Sequence, residues 1–253
     1  MIRVAKLFDT FVACGSVLLL AVTLVAAGFA AVAVPDWATV ALSRAFSGCD
    51  QPHTPFTANE LTAMAVAGKH YTFDSNNAEE LSSAVAAANA SAEADGRANK
   101  MGEHSEARSL PTDAISHLDD VYRVVSVAKP LLFVVAIICI AGLAHVAVRI
   151  NRRALGRVLT AGGAAVLVVF AMLGAWATVD FNGLFSIFHS LFFQAGTWTF
   201  SYDSLLITMY PTAFWMGMAA IWLVVTCAAS ILCILTGRML SKQAGTAQCK
   251  TAC

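Results

Sequence analysis

Apolar residues of this 253-residue chain are concentrated in four long blocks, at residues 7–34, 130–148, 155–179 and 214–235. About 20 mostly apolar residues are enough for a helix to cross the roughly 30 Å of hydrocarbon in a bilayer, so each block is long enough. Because a bilayer interior admits only helices and closed barrels, runs this uniform predict helices. The pattern therefore predicts an all-α-dominated polytopic membrane protein, with four transmembrane helices and an extracytoplasmic domain between helices one and two.

Basic residues near the block ends predict the orientation. They precede the first helix, fill the link between the second and third, and follow the fourth: Arg3, Lys6, Arg149, Arg152, Arg153, Arg157, Arg238, Lys242 and Lys250. An excess of Arg and Lys marks cytoplasmic segments, so we expect both termini in the cytoplasm. Ala31-Val32-Ala33 resembles a signal-peptidase site and leaves open a removed signal peptide. The apolar run is long for a signal, which favours retention of the helix.

This orientation divides the chain into five parts. Residues 1–34 are the first helix, 35–128 the extracytoplasmic domain, 129–179 the second and third helices with their Arg-rich cytoplasmic link, 180–212 an extracytoplasmic interfacial loop, and 213–253 the fourth helix with a cytoplasmic tail. The two outer parts are therefore where we look for chemistry that acts on extracytoplasmic substrates.

The outer domain contains three kinds of sequence. Thr57 with Glu60 three residues later predicts a helix start. Residues 82–108 are Ala-rich, polar and without aromatics, which predicts a mobile or weakly helical insertion with few residues able to pack. Residues 113–129 carry an apolar stripe at helical spacing. We expect that helix to run on into the second transmembrane helix, with Pro130 at the membrane surface.

Composition narrows the function classes. The chain is 58% hydrophobic and 13% charged, with a mean hydropathy of +0.69, against about 25% charged residues in a typical soluble domain. Its 16 basic and 16 acidic residues balance, which argues against a nucleic-acid partner. The seven cysteines form no CxxC pair and no metal-type Cys/His cluster. We interpret them as structural and expect no metal.

Two histidines in the outer parts are candidates for proton transfer. Asp120 follows His117 by three residues, so its carboxylate could orient that ring or raise its basicity, although an exposed histidine in an acidic helix usually has no such role. His189 lies at the border of an amphipathic segment, residues 181–193, with Phe and Leu on one face and polar residues on the other. That segment is expected at the outer membrane surface, where His189 is either a snorkelling side chain or a general base at the depth of lipid esters.

Several motifs occur in order and resemble one family. They are His-Leu-Asp-Asp-Val at 117–121, Leu-Phe-Ser-Ile-Phe-His-Ser-Leu-Phe-Phe at 184–193, Trp198-Thr-Phe, Leu206-Ile207, Tyr210-Pro211 and Phe214. Together they resemble the lipoprotein intramolecular transacylases (Lit), bacterial four-helix integral membrane proteins. The resemblance covers nearly the whole chain, and residues 82–108 and 112–114 depart from it.

The resemblance implies an acyltransferase of the bacterial cell membrane with an extracytoplasmic site and no cofactor. Its substrate is expected to be a diacylglyceryl lipoprotein within membrane lipids, whose sn-2 acyl chain moves to the amine of its own N-terminal cysteine. The family's two catalytic histidines correspond to His117 and His189, and Asp120, Trp198 and Tyr210 are the expected substrate-binding or positioning residues. Imidazole suits this reaction because the amine must lose a proton and the glycerol oxygen must gain one.

Two other function classes remain open at this stage. Ser186 lies one turn before His189, so a serine-dependent lipid hydrolase or acyltransferase is one alternative. A non-catalytic lipid-binding membrane protein is the other. The histidine mechanism requires the two imidazoles to lie within about one side chain's reach, yet a straight helix lifts His117 about three turns above Lys129.

Overall fold

The computed structural model describes residues 2–51, 53–98 and 107–251, with side chains described for residues 5–51, 53–98 and 107–243. Across these residues the chain is helical almost throughout and contains no strand. The helices are α1 (Ile2–Ala33), α2 (Asp36–Phe46), α3 (Ala58–His70), α4 (Ala78–Ala94), α5 (Thr112–His145), α6 (Arg152–Val179), α7 (Phe181–Ser190), α8 (Leu205–Met209) and α9 (Thr212–Thr251). Short π-helical turns extend α3 at Tyr71–Ser75 and α5 at Val146–Ile150.

Four helical segments are long and apolar enough to cross a membrane. They are Ala5–Ala33, Thr112–Ile150, Arg152–Val179 and Thr212–Gln243, and they coincide with the four predicted blocks. The prediction of an all-α membrane protein with four spans is therefore confirmed. α5 also runs on from the outer helix through Pro130, as expected.

The membrane-crossing part of α5 begins after Lys129. The preceding part, residues 112–129, carries five charged side chains, whereas residues 130–148 carry no Asp, Glu, Lys or Arg. Charged side chains are costly in hydrocarbon, so the charge-free part is the one suited to the bilayer. His117 therefore lies outside the membrane-spanning segments.

The chain divides into two compact units, and four helical segments make up the first. This unit comprises Met1–Ala31, Lys129–Val179 and Trp222–Cys253. Its buried core consists of Leu20, Leu24, Cys139, Val166 and Phe170. The indole N–H of Trp222 donates to the carbonyl oxygen of Val25 at 3.1 Å, and its ring meets Phe170 edge-on. Many large apolar side chains face outward, as a lipid environment requires.

The second unit comprises Val32–Ala128 and Asp180–Ile221 and contains both candidate histidines. α3 begins with the predicted capping box, in which Thr57 and Glu60 satisfy each other's backbone N–H groups. One buried cluster joins α3 and α4 to α8: Phe56, Leu61, Met64, Ala88, Ala92, Leu205 and Met209. A second cluster joins these helices to the start of α5: Ala67, Tyr71, Leu81, Ala114, Leu118 and Leu206.

The expectation that few residues of 82–108 pack is wrong over the part that the structure describes. α4 is a 17-residue helix that starts at Ala78, before this segment, and Leu81, Ala88 and Ala92 are buried on it. Arg97 then pairs with Glu60 at 2.9 Å. Alanine methyl groups can bury a helix face wherever a neighbouring helix approaches closely, so a lack of aromatics did not mean a lack of packing. Residues 99–106 lie outside the described residues.

Candidate active site

His117 is buried, with a relative exposure of 8%. The neighbouring Ala114 and Leu118 point into the same core, so α5 presents His117 on its buried face. The ring meets Phe193 at 5.0 Å and Phe200 at 5.6 Å between ring centroids. The sequence suggested an exposed histidine, and the aromatic residues that cover it come from a distant part of the chain.

His189 lies near the end of α7 and stacks with His117. Their ring centroids are 6.2 Å apart, with 28° between the ring planes. His189 is half-buried and packs between Phe185, at 4.0 Å, and Trp198, at 4.9 Å. The structure thus brings together two imidazoles that are 72 positions apart in the chain.

One hydrogen bond determines which nitrogen of His189 is available. Nδ1 lies 2.9 Å from the carbonyl oxygen of Phe185, one turn earlier on α7. A carbonyl oxygen can only accept, so Nδ1 carries the proton and donates it. In the neutral ring Nε2 then holds the free lone pair, which is the form that a general base requires.

Burial keeps both imidazoles neutral near pH 7. The pKa of His117 is lowered to about 4, chiefly by loss of solvent and in part by repulsion from the charge that His189 carries when protonated, while Asp120 acts in the opposite direction. Burial also lowers the pKa of His189, against a small opposing effect of its bond to Phe185. Two neutral rings in contact can accept a proton and return it, which a permanently charged pair could not.

Comparison with known proteins identifies the family. The family model for the lipoprotein intramolecular transacylase Lit matches residues 74–215, more than half of the chain, including both histidines. This chain belongs to the Lit family. An uncharacterised protein of Aquifex aeolicus (strain VF5) is 28% identical over 130 residues, which are 51% of this chain and 57% of that protein. The chain therefore spans just over half the length of this curated relative.

Solved Lit structures share the fold. The membrane integral lipoprotein intramolecular transacylase Lit from Bacillus cereus matches with a TM-score of 0.71 and 18% identity, over 95% of this chain and 99% of that one. A variant of that protein in which one histidine is replaced by alanine matches with a TM-score of 0.68 and 17% identity, over 97% and 99%. At this level of identity the likeness establishes a common membrane-integral helical fold.

Two polar atoms in this Lit-family site are buried without a hydrogen-bond partner in the described part of the chain. They are Nδ1 of His117 and the indole Nε1 of Trp198. A buried donor or acceptor left unpaired costs about 1–3 kcal/mol, so such atoms are uncommon in folded proteins. Both lie on rings that contact His189. Trp198 was expected here from the sequence, and the structure brings it to the histidines.

Asp120 and Tyr210 have other partners. Asp120 accepts a hydrogen bond from Arg123 at 3.0 Å and makes none with His117. Of the two expected effects, it does not orient the ring by a hydrogen bond, whereas its charge raises the basicity of the ring. It acts on His117 only through its charge. The Tyr210 hydroxyl donates to the carbonyl oxygen of Ala65 at 2.5 Å. Tyr210 therefore ties the segment after α8 to α3, and its ring makes no contact with either histidine ring.

Ser186 lacks the arrangement of an activated nucleophile. Its side chain is exposed and makes no hydrogen bond within the described residues, and Nδ1 of His189 is occupied by its hydrogen bond to Phe185. A serine nucleophile needs a base within hydrogen-bond reach of its hydroxyl. The geometry disfavours the serine alternative. The described residues also assemble no group of three or more His, Cys, Asp and Glu side chains, so we assign no metal ligands.

Phe193 and Phe200 lie in the site but were not predicted from the sequence as site residues. Phe193 contacts both imidazoles, at 5.0 Å from His117 and 5.7 Å from His189. Its spacing of four residues from His189 was the available signal, since such pairs meet on one face of a helical turn. Phe200 lies in the loop before α8 and carried no periodic signal.

Proposed function

We propose that this protein is an acyltransferase that moves the sn-2 acyl chain of a diacylglyceryl lipoprotein to the α-amino group of the lipoprotein's own N-terminal cysteine. The observation that carries the proposal is the contact between two neutral imidazoles, one buried and one half-buried, in a chain of the Lit family. The product is an N-acyl lipoprotein that retains one acyl chain on its glycerol.

Proton transfer accounts for His189. The cysteine amine attacks the ester carbonyl carbon while Nε2 of His189 takes the proton that the nitrogen must lose. The tetrahedral intermediate then collapses, the C–O bond to glycerol breaks, and the glycerol oxygen takes the proton back from His189. An amide replaces an ester, and no proton is gained or lost overall. The hydrogen bond from His189 to Phe185 supports His189 as the base.

His117 and Trp198 are suited to stabilise the intermediate. Each has a buried ring nitrogen without a partner, and an ester oxygen that becomes negative in the transition state would supply one. Donors already in place cost no reorganisation during the reaction, which is why such donors commonly contribute a factor of about 10² to 10³ in rate. No protein nucleophile is required, because the acyl acceptor belongs to the substrate and is tethered close to the ester.

The proposed reaction also requires a location outside the cytoplasm, where mature lipoproteins are. The basic residues of the link between α5 and α6, including Arg149 and Arg153, support a cytoplasmic position for that link and for both termini. Residues 35–128 and 180–212, which contain His117 and His189, would then be the extracytoplasmic domain and loop. The active site would face lipoproteins and membrane lipids on that side.

The deciding experiment is mass spectrometry of lipoproteins from a host that lacks other N-acylating enzymes, with and without this chain. We expect the diacyl form to become the N-acyl lyso form only when the chain is present. His117→Ala and His189→Ala should each reduce conversion by about 10²- to 10⁴-fold at unchanged membrane abundance. Ser186→Ala, on the same helix as His189, is the matched control and should convert normally.

Three results would contradict the proposal in different ways. Conversion that persists in both histidine variants would remove the two-histidine mechanism. Loss of conversion in Ser186→Ala alone would support a serine-dependent enzyme. Unchanged lipoproteins with the wild-type chain abundantly present would favour the non-catalytic lipid-binding alternative.

A further inference from the structure

A cavity in the first unit lies between α6 and α9, far along the chain from the histidines. The two helices meet there at backbone contact: a Cβ atom added to Gly156 would lie 2.4 Å from the carbonyl oxygen of Gly237, and one added to Gly237 would lie 2.5 Å from that of Gly156. Beside this crossing is a cavity of about 460 Å³. That volume is within the range of about 300–1,000 Å³ typical of small-molecule sites.

The charged part of the lining is entirely basic. Arg157, Arg238 and Lys242 line the cavity, and no carboxylate does. Arg157 and Arg238 are exposed and make no hydrogen bond or ion pair with another described residue. Neither residues 151–179 nor residues 212–253 contain any Asp or Glu. These two helices therefore cannot neutralise the charge from within.

The arginines lie where the apolar part of each helix ends. Arg157 directly precedes the charge-free residues 158–179 of α6, and Arg238 directly follows the charge-free residues 212–237 of α9. In a membrane this is the depth of lipid phosphates, whichever way the protein is oriented. On the apolar side of the arginines the lining continues with Ala161 and Ala164. The cavity thus offers cations at headgroup depth and a small apolar surface along the acyl chains.

We propose that this cavity is a binding site for one anionic phospholipid. Guanidinium groups bind phosphate oxygens through paired N–H donors, and basic pockets between transmembrane helices are suited to anionic headgroups. Thr160 and Ser241 also line the cavity, and the Thr160 hydroxyl donates to the carbonyl oxygen of Gly156 at 2.8 Å. The apolar lining at Ala161 and Ala164 distinguishes a lipid from a free anion, which would use only the charged end. The site is separate from the histidine pair and does not depend on the proposed acyl transfer.

Native mass spectrometry of the purified full chain in neutral detergent tests the proposal, with phosphatidylglycerol titrated against phosphatidylcholine. A basic residue near an anionic lipid surface contributes about 1 kcal/mol, or about five-fold in affinity. Arg157→Gln with Arg238→Gln should therefore weaken phosphatidylglycerol binding by about 25-fold. Arg152→Gln with Arg153→Gln removes the same charge from the same end of α6 but outside the cavity, and should leave binding within about two-fold of wild type.

Two further measurements test whether the ligand is a lipid. Ala161→Phe keeps every charge and fills the apolar part of the lining, so it should weaken phosphatidylglycerol binding even if the double arginine variant does not fold. Glycerol phosphate, the headgroup without chains, should fail to displace the lipid at equal concentration. Any of three results would overturn the proposal. They are an equal loss of phosphatidylglycerol binding in both arginine double variants, unchanged binding in Ala161→Phe, and full displacement of the lipid by glycerol phosphate.

Discussion

The aromatic cover over the histidines should control the pH range of the proposed acyl transfer, and Phe193 is the residue that tests this. Its ring lies against His117 and His189, at 5.0 and 5.7 Å between centroids. Phe193→Ala removes this ring and admits water to both imidazoles. Because burial is the largest cause of the low pKa of His117, we expect the pKa to rise towards its ordinary value.

The size of the effect follows from the two pKa values. A histidine with a pKa of about 4 is about 97% neutral at pH 5.5, whereas one with the ordinary pKa of 6.5 is about 9% neutral. Protonation of His117 places a positive charge against His189 and opposes proton uptake by that base. If Phe193→Ala releases the whole shift, activity at pH 5.5 relative to pH 8 therefore falls about tenfold below that of wild type. In the folded wild-type protein the lowered pKa keeps His117 neutral above about pH 4. The Phe193→Ala variant lacks this shift, so it loses activity as the pH falls from 6.5 towards 4.

The assay is conversion of a synthetic diacylglyceryl-cysteinyl peptide by the purified protein, followed by mass spectrometry between pH 5 and 8.5. The amine of the substrate also titrates, with a pKa of about 7.7–8.0. This titration is the same for every variant, so it cancels when the activity of a variant is divided by that of wild type at the same pH. Phe192→Ala is the matched control, because Phe192 is exposed and its ring contacts Phe188 and Phe193 but neither histidine. Identical acid limbs for Phe193→Ala and wild type would refute burial as the cause.

Two more predictions concern packing and topology. The Leu81 side chain in α4 is 2% exposed, so Leu81→Ala should lower the free energy of unfolding by about 2–5 kcal/mol. Ser83 is exposed on the same helix, and Ser83→Ala should change that free energy by less than about 0.5 kcal/mol. Thermal unfolding in detergent measures both, and equal values would mean that α4 does not pack as described. In a cysteine-free background, Gln194→Cys should react with a membrane-impermeant thiol reagent in intact cells and Arg153→Cys only after lysis; the opposite pattern would reverse the proposed orientation.

Local patterns were sufficient for the helical framework. Long apolar runs identify spans because a bilayer leaves the backbone no partner outside the helix. The capping box at Thr57 and Glu60 was readable because its two hydrogen bonds join residues three apart. His117 and His189 were identifiable as candidates because their motifs are local as well.

The environment of each candidate was decided by contacts between distant segments. His117 lies in an acidic stretch that indicates exposure, yet Phe193 and Phe200 cover it from more than 70 positions away. Asp120 was a plausible partner by spacing, but Arg123 is equally close along the helix and is the one it binds.

By itself, the sequence determined the four spans, the start of α3, and His117 and His189 as candidate site residues. Each of these depends on residues within a few turns of one another. Only the tertiary structure decided that α4 is packed, that the rings meet, that His117 is desolvated, and that the helices carrying Gly156 and Gly237 cross beside unpaired arginines. The physical reason is that burial and pKa depend on which surfaces come together, and a single helix cannot specify the surface that will cover it.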